Sequence, residues 1–456
     1  MTIAGIDIGT TTISLVLIDG DSGIMIGRKT IEHGSRSFLR GEFKTSRIQD
    51  PQLICSLALE GFRELTKDCD DLKAIGMTGQ MHGMLYVDRS GAAVSPLYTW
   101  QDGSGDIPLP HENTGMASFL QEHVGNASTG YGVTTHAFLQ RMGRIPETAV
   151  SMATISDYLA MKLCGNTEPV ISADMAAGWG CFDLAKKDFL KDRLMKAGVD
   201  TSYLPKVHTK HDVIGETKEG VPVICSLGDN QASVIGSVQD INSTLLLNVG
   251  TGSQVSMGIG EYIPCSGSVE IRPCTEDSYI MAGSSLCGGR AYAMLEQFYR
   301  SAPGGRTQEA LYDQMTAQAE DFLSEHGREA AWKINPVFSG TRSNPDECGS
   351  ISGICTTNFT PGAMTAGIVL GILDELHGYY KEMQKLSGKE ASILVGSGNG
   401  IRRNPLMQRM AEELFGMPMR IPASQEEAGF GAALTALYEA GYTPTLREAQ
   451  AKIKYE

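Results

Sequence analysis

The chain has 456 residues, with 38 Lys and Arg against 53 Asp and Glu and a formal net charge of -15. At about 100–200 residues per domain, that length predicts two to three domains, each with its own core. The acidic balance, without any basic run, argues against nucleic acid as the main partner but leaves room for a phosphate held by backbone amides. Ten cysteines form no C-x-x-C pair and no zinc-type cluster with histidine, so they read as free buried thiols of a reducing compartment. The N-terminus opens directly in a strand-like pattern, and no apolar run approaches about 18 residues. A cytoplasmic globular protein that does not engage the membrane is therefore expected.

Met1 to Ile18 reads as strand, tight turn and strand, with Ile3, Ile6 and Ile8 around Asp7 and then Gly9-Thr10-Thr11-Thr12. A carboxylate among apolar strand residues is costly without a partner, and hydrated Mg²⁺ would be a suitable one. The hydroxyl-rich turn fits a phosphate, and equally an ordinary hairpin. Pro51 to Thr66 has helical spacing and Leu72 to Met77 is a strand. Thr78-Gly79-Gln80-Met81-His82-Gly83 then forms a loop suited to reading a polyol, or simply a structural one. Tyr98-Thr99-Trp100-Gln101-Asp102-Gly103 offers an indole, an amide and a carboxylate, a mixture common in sugar sites; a turn with one core tryptophan is the plain alternative. Thr154 to Leu163 is a short helix, Ser172 to Gly180 a small-residue loop, and Lys186 to Gly198 an amphipathic helix.

Val221 to Cys225 is a short buried strand, followed by Gly228-Asp229-Asn230-Gln231. Asp229 is the candidate general base, since such a base must be one positioned group within reach of its proton. It also fits a helix N-cap before Ala232. The strand Thr244 to Val249 runs into Gly250-Thr251-Gly252-Ser253, repeating the N-terminal strand and turn about half a chain later. Two related domains are expected, each presenting one such turn. Gly283 to Gly289 and Pro303-Gly304-Gly305 read as linkers, Thr307 to His326 as a polar helix and Pro361 to Leu386 as a long one. Ser392 to Val395 is a strand entering Gly396-Ser397-Gly398-Asn399-Gly400, a glycine-rich turn suited to part of a nucleotide, although no Walker loop is present. Asn404 caps a helix that stops at Gly416, and Glu426 to Gly441 is the last helix.

Taken in order, Asp7 with Gly9-Thr10-Thr11, then Gly79 to Gly83, Gly228-Asp229-Asn230, Gly250-Thr251-Gly252 and Gly396-Ser397-Gly398 resemble the FGGY carbohydrate kinases over nearly the whole chain. The resemblance implies an α/β fold of two actin-like ATPase (ribonuclease H-like) domains flanking a central cleft, with an N-terminal domain over 1–238 and a C-terminal one over 239–456. It implies transfer of the ATP γ-phosphoryl to the terminal hydroxyl of a ketose, sedoheptulose ahead of D-xylulose, with a homodimer as the assembly considered. Asp229 would be the base, and Asp7 and Asp229 would hold Mg²⁺. Gln80, Met81, His82, Trp100, Asp102, Asp229 and Asn230 would meet the sugar. Thr10, Thr11, Thr12, Gly250, Thr251, Gly252, Ser253, Gly396, Gly398, Asn399 and Asn404 would meet ATP. Relatives often carry Arg two residues after Asp102, where this chain has Ser104, and serine cannot supply guanidinium geometry. A chaperone-type ATPase and a non-catalytic sugar-binding protein are the readings from other classes.

Overall fold

The computed structural model describes residues 1–109, 113–265, 267–301, 309–341, 344 and 346–456. The expected linker Pro303-Gly304-Gly305 and the start of the helix at Thr307 lie outside these. Contacts divide the chain into two compact units. Unit 1 contains Met1–Gln239, Arg272–Tyr279 and Glu426–Lys454; unit 2 contains Asp240–Ile271, Ile280–Gln425 and Tyr455–Glu456. Two stretches of the 239–456 half therefore belong to unit 1.

Unit 1 is built on β1 (Thr2–Ile8), β2 (Thr12–Asp19) and β3 (Met25–Glu32), then α1 (Pro51–Thr66) and β4 (Leu72–Gly79). Ile3, Ala4, Ile6 and Ile8 are all essentially inaccessible, because β1 is central and covered on both faces. Helix α1 begins where Asp50 accepts hydrogen bonds from the amides of Gln52 and Leu53, with Pro51 in its first turn. Further on come α2 (Ile155–Cys164), α3 (Ala173–Gly178), β5 (Val213–Glu216), β6 (Pro222–Ile224), β7 (Leu227–Gly228) and α4 (Asp229–Ser237). The strands form one sheet in the order β5-β6-β4-β1-β2-β3, with β7 also paired to β4. Strand β1 is antiparallel to β2 and parallel to β4, the pattern expected of a ribonuclease H-like domain.

Three expectations need correction. Lys186 to Gly198 is not one helix: Phe182–Asp183 and Asp188–Phe189 pair as a hairpin, with Lys187 at positive φ, and only Lys191–Lys196 is helical. The stretch Ser172 to Gly180 is not a loop, because Ser172 caps α3 by accepting from the Met175 amide. Asp229 does not cap α4 either; Gly228 holds that position and Asp229 is the first helical residue.

Unit 2 carries β8 (Thr244–Val249), β9 (Ser253–Ile259), β10 (Val269–Thr275, its end in unit 1), β11 (Ser278–Ser285), α5 (Gly289–Ser301), α6 (Tyr312–His326) and α7 (Pro361–Ser387). These are followed by β12 (Ile393–Ser397), α8 (Asn399–Arg402), α9 (Pro405–Phe415) and β13 (Met419–Arg420). Strand order is β10-β11-β9-β8-β12-β13. As in unit 1, the first strand is antiparallel to the second and parallel to a later one. The expected linker Gly283 to Gly289 instead begins as the end of β11. Asn404 caps α9 through the Met407 amide, and Gly416 ends it in the left-handed conformation.

The chain finally returns to unit 1 as α10 (Glu427–Glu439). This helix lies so close that a β-carbon at Gly5 of β1 would sit 1.9 Å from the Gly429 carbonyl oxygen, and one at Gly76 of β4 would sit 1.9 Å from that of Ala432. Likewise a β-carbon at Gly431 would meet the Ala232 carbonyl oxygen of α4 at 1.9 Å. Ala for Gly inside a helix ordinarily gains about 1 kcal/mol. Here backbone blocks the space, so Gly431→Ala should lower stability by about 1–3 kcal/mol or more in guanidinium unfolding. An unchanged or raised midpoint would sink this account of the packing.

Candidate functional site

The sheet register of unit 1 gathers three candidate residues. Strands β1, β4 and β7 run parallel, with Ile8 opposite Gly79 and Gly79 opposite Gly228. Asp7, Gln80 and Asp229 therefore emerge at the carboxyl ends of neighbouring strands, where open α/β sheets place ligands. Asp7 Oδ1 is buried without a hydrogen-bond partner. Burial first, and then the charges of Asp229 and Glu426, push the Asp7 carboxyl up to about 7. Asp229 is also raised by burial, against the pull of the Asn230 amide and the Arg272 charge. Its Oδ1 accepts from the Asn230 N–H at 2.8 Å, and its place in the first turn of α4 favours the anion. Glu426 reaches the cluster from the far end of the chain, its Oε2 accepting from Ser14 Oγ at 2.7 Å.

A buried, unpartnered carboxylate oxygen beside two further carboxylates is the donor set a divalent cation would relieve. Among the described residues no group of three or more His, Cys, Asp or Glu forms a metal cage. An ion here would thus have one or two carboxylates and complete its shell with waters or phosphate oxygens, as Mg²⁺ prefers.

The expected sugar residues fall in two settings. Gln80 is buried; its Nε2 reaches Gln49 Oε1 at 3.4 Å, while its Oε1 has no protein partner, and neither has Asn230 Oδ1. Met81 packs behind Gly178 and Gly228. His82 Nδ1 donates to the Gly178 carbonyl at 2.5 Å, and its ring stacks on Tyr131 with centroids 4.7 Å apart. Trp100 is 47% exposed and donates from Nε1 to Thr10 Oγ1 at 2.9 Å, tying one expected sugar residue to one expected phosphate residue. Asp102 is buried and fully engaged: Oδ2 accepts from the Arg47 amide, Oδ1 from the Ser104 amide and hydroxyl. Ser104 is thus part of the scaffold holding Asp102.

The turn after β1 closes through Gly9 N–H to the Thr12 carbonyl at 2.9 Å, while the Thr10 and Thr11 carbonyls accept from Gln49 and from His33 and Gly34. The threonine side chains are left partly or fully exposed.

In unit 2, a cavity of about 1090 Å³ is lined by Gly250, Thr251, Gly398, Asn399 and Asn404 together with Arg290, Tyr292 and Tyr312. Gly289 N–H and Arg290 N–H bond the Gly250 and Thr251 carbonyls, so the second hydroxyl turn sits at the start of α5. Gly398 has φ +80°, and a β-carbon there would strike the Val249 carbonyl, so this turn requires glycine. Gly252, Ser253 and Gly396 are not among the lining residues: Gly252 packs on Ser285, Ser253 is buried in β9, and Gly396 faces Met419 and Ile421.

Residues 2–236 match the N-terminal domain, and 246–440 the C-terminal domain, of the FGGY family of carbohydrate kinases. The chain belongs to that family. It is accordingly an ATP-dependent carbohydrate kinase. It is 27% identical to the sedoheptulokinase of Mus musculus, over 95% of this chain and 96% of that protein. With the xylulose kinase of Staphylococcus xylosus it shares 22% identity over 95% and 90%. A solved ligand-bound xylulose kinase from Lactobacillus acidophilus superposes with a TM-score of 0.82 at 20% identity, covering 100% of this chain and 92% of that one. No helix among the described residues is long and apolar enough to cross a membrane.

Sequence reasoning missed Glu426, Arg272 and Tyr131. Glu426 and Arg272 reach the Asp7–Asp229 cluster only through the chain's two returns to unit 1, which no local pattern announces. Tyr131 had a usable signal, an aromatic residue between Gly130 and Gly132 at a helix start.

The raised Asp7 sets a pH dependence. Its folded pKa of about 7 exceeds the unfolded value of 3.8, so the folded state keeps a proton that the unfolded chain has lost. The stability this contributes is full below about pH 4 and is lost as pH rises to about 7. In metal-free buffer, Asp7→Asn should therefore melt above the wild type at pH 8, by an amount that shrinks towards pH 5. A gap independent of pH would contradict the burial argument.

Proposed function

We propose that this kinase phosphorylates the terminal hydroxyl of a ketose, with sedoheptulose as the first acceptor to test and D-xylulose as the second. The full-length similarity to a sedoheptulokinase, 27% against 22% for the xylulose kinase, carries the order of acceptors. The loop Gln80-Met81-His82 and the partnerless carboxamide oxygens of Gln80 and Asn230 support a polyhydroxyl ligand. Two acceptor oxygens buried without donors are costly unless ligand hydroxyls reach them.

In this reading unit 1 holds the acceptor and unit 2 the nucleotide. Asp229 accepts the proton of the attacking hydroxyl as its oxygen bonds to the γ-phosphorus and the bond to the β-phosphate oxygen breaks, giving sugar phosphate and ADP. Its pKa, raised by burial, brings the carboxylate closer to the operating pH of a general base. Asp7, with Asp229, would hold Mg²⁺, which when bound neutralises phosphate oxygens. The Thr10–Thr12 turn, and Gly250 with Thr251, would supply hydroxyls and amides for the phosphates. Gly398, Asn399 and Asn404 line the cavity proposed for the nucleoside. Catalysis of this kind rests on positioning and charge stabilisation. Trp100 and His82 with Tyr131 offer ring faces to the sugar's C–H edges.

Asp229→Asn should leave ATP binding near normal and lower kcat by about 100-fold or more. Near-normal turnover would remove Asp229 as the base. Release of ADP from MgATP, measured across a panel of ketoses and polyols, tests the acceptor. The proposal expects strongest stimulation by sedoheptulose; a preference for D-xylulose would move the substrate while keeping the chemistry.

A further inference from the structure

We infer that Asp174 and His211 are positioning residues for Asp229: their buried ion pair clamps the backbone amide of Gly228 and so sets where the Asp229 carboxylate stands. This rests on the reading of Asp229 as the base.

The residue before Asp229 is poorly anchored by its own segment. Strand β7 is only two residues long, paired to β4 at Leu227–Thr78 and Gly228–Gly79. Gly228 is the N-cap of α4 yet has no side chain with which to cap it. The anchoring comes from the first turn of α3. Ser172 Oγ, just before that helix, donates to the Ser226 carbonyl at 2.6 Å. Asp174 Oδ2 accepts the Gly228 N–H at 2.8 Å. The two bonds grip the chain on either side of Leu227, immediately ahead of Asp229. The other oxygen of Asp174 lies 3.0 Å from His211 Nε2, which comes from the loop before β5. Asp174 is 1% exposed and His211 4%, so the pair acts from within the core.

The charges explain why the carboxylate stays in place. Burial works against both ionised forms, but the Asp174 carboxylate raises the His211 imidazolium, with Glu439 and Asp212 adding to it. His211 in turn brings Asp174 below its ordinary value despite burial, helped by Ser172 and the Gly228 amide. A buried pair of this kind is poor evidence for net stability, because desolvation offsets its attraction. Its use is orientation: one oxygen is fixed on a cation from one loop, and this aims the other at the amide beside the base. Misplacement by about 1 Å in such a site costs about 100-fold in rate.

The test is steady-state kinetics with MgATP and sedoheptulose, or D-xylulose if the panel selects it, on Asp174→Ala, Asp174→Asn, His211→Ala and Asp229→Asn. Asp174→Ala should lower kcat by about 10- to 100-fold while both KM values stay within about 3-fold. Asp174→Asn should regain most of that loss, since its amide oxygen still accepts the Gly228 N–H and its amide N–H₂ faces neutral His211. His211→Ala, which frees the carboxylate to turn, should fall between them. The inference is overturned if Asp174→Ala keeps the wild-type kcat, if its KM rises with kcat intact, or if Asp174→Asn is as slow as Asp174→Ala. Should Asp174→Ala fail to fold, His211→Ala decides: a wild-type kcat there overturns the inference, a lowered kcat with unchanged KM supports it. Asp229→Asn separates the two levels. Full activity there removes the base itself, whereas a dead Asp229→Asn beside a normal Asp174→Ala removes only the clamp.

Discussion

One carboxylate oxygen, Asp7 Oδ1, is held out of water without a partner, and the rest of unit 1 is arranged around that cost. Burial first, and then the nearby charges of Asp229 and Glu426, raise Asp7 to about 7. A protein core does not ordinarily tolerate this without compensation. Arg272 and the Asn230 amide supply part of it for Asp229, and Ser14 supplies part for Glu426. Asp7 Oδ1 has none from the protein. The structure therefore carries an unmet demand for positive charge at the ends of its central parallel strands, which is the electrostatic condition a phosphoryl-transfer site with a metal ion requires.

That cluster depends on backbone packing as much as on charge. Glu426 precedes α10, and α10 lies against β1, β4 and α4 only because glycines clear its way. The same close approach fixes α4, whose first residue is Asp229. Arg272 arrives by a different route. The Arg272–Tyr279 segment is tied down by Gln231 Nε2 on the Pro273 carbonyl, by Lys187 Nζ on Thr275 and by Tyr279 Oη on the Leu184 carbonyl. The hairpin around Lys187, read from sequence as part of an amphipathic helix, is thus one anchor of a segment that brings a cation towards the base. Its apolar spacing was real, but a positive-φ residue in a two-residue-strand hairpin leaves no periodic trace.

What was legible follows from this. Strands of unit 1 and unit 2 are readable because apolar runs bounded by glycine turns are local patterns, and the repeat of strand, Gly-Thr turn and strand exposes the duplication. Asn404, Pro405 and Gly416 announced both ends of α9. Asp7 and Asp229 stood out as carboxylates beside buried strands. Glu426 could not stand out: it sits more than 400 residues from Ser14, and only tertiary packing gives it a role. Asp174 was hidden for a related reason. Its stretch looked like a small-residue loop, whereas the Ser172 cap makes it a helix turn whose second residue points a carboxylate at Gly228.

The same reasoning bears on which polar groups near the base are free to meet a ligand. Asp102 looked like a ligand for hydroxyls, yet both its oxygens are spent on Arg47 and Ser104. The partnerless buried atoms near the base include the carboxamide oxygens of Gln80 and Asn230, which are acceptors and uncharged. A hydroxyl can donate to such an atom; a sugar carboxylate would be repelled by it. Acceptors of this kind suit the hydroxyls of a ligand, since a buried acceptor left without its donor costs about 1–3 kcal/mol.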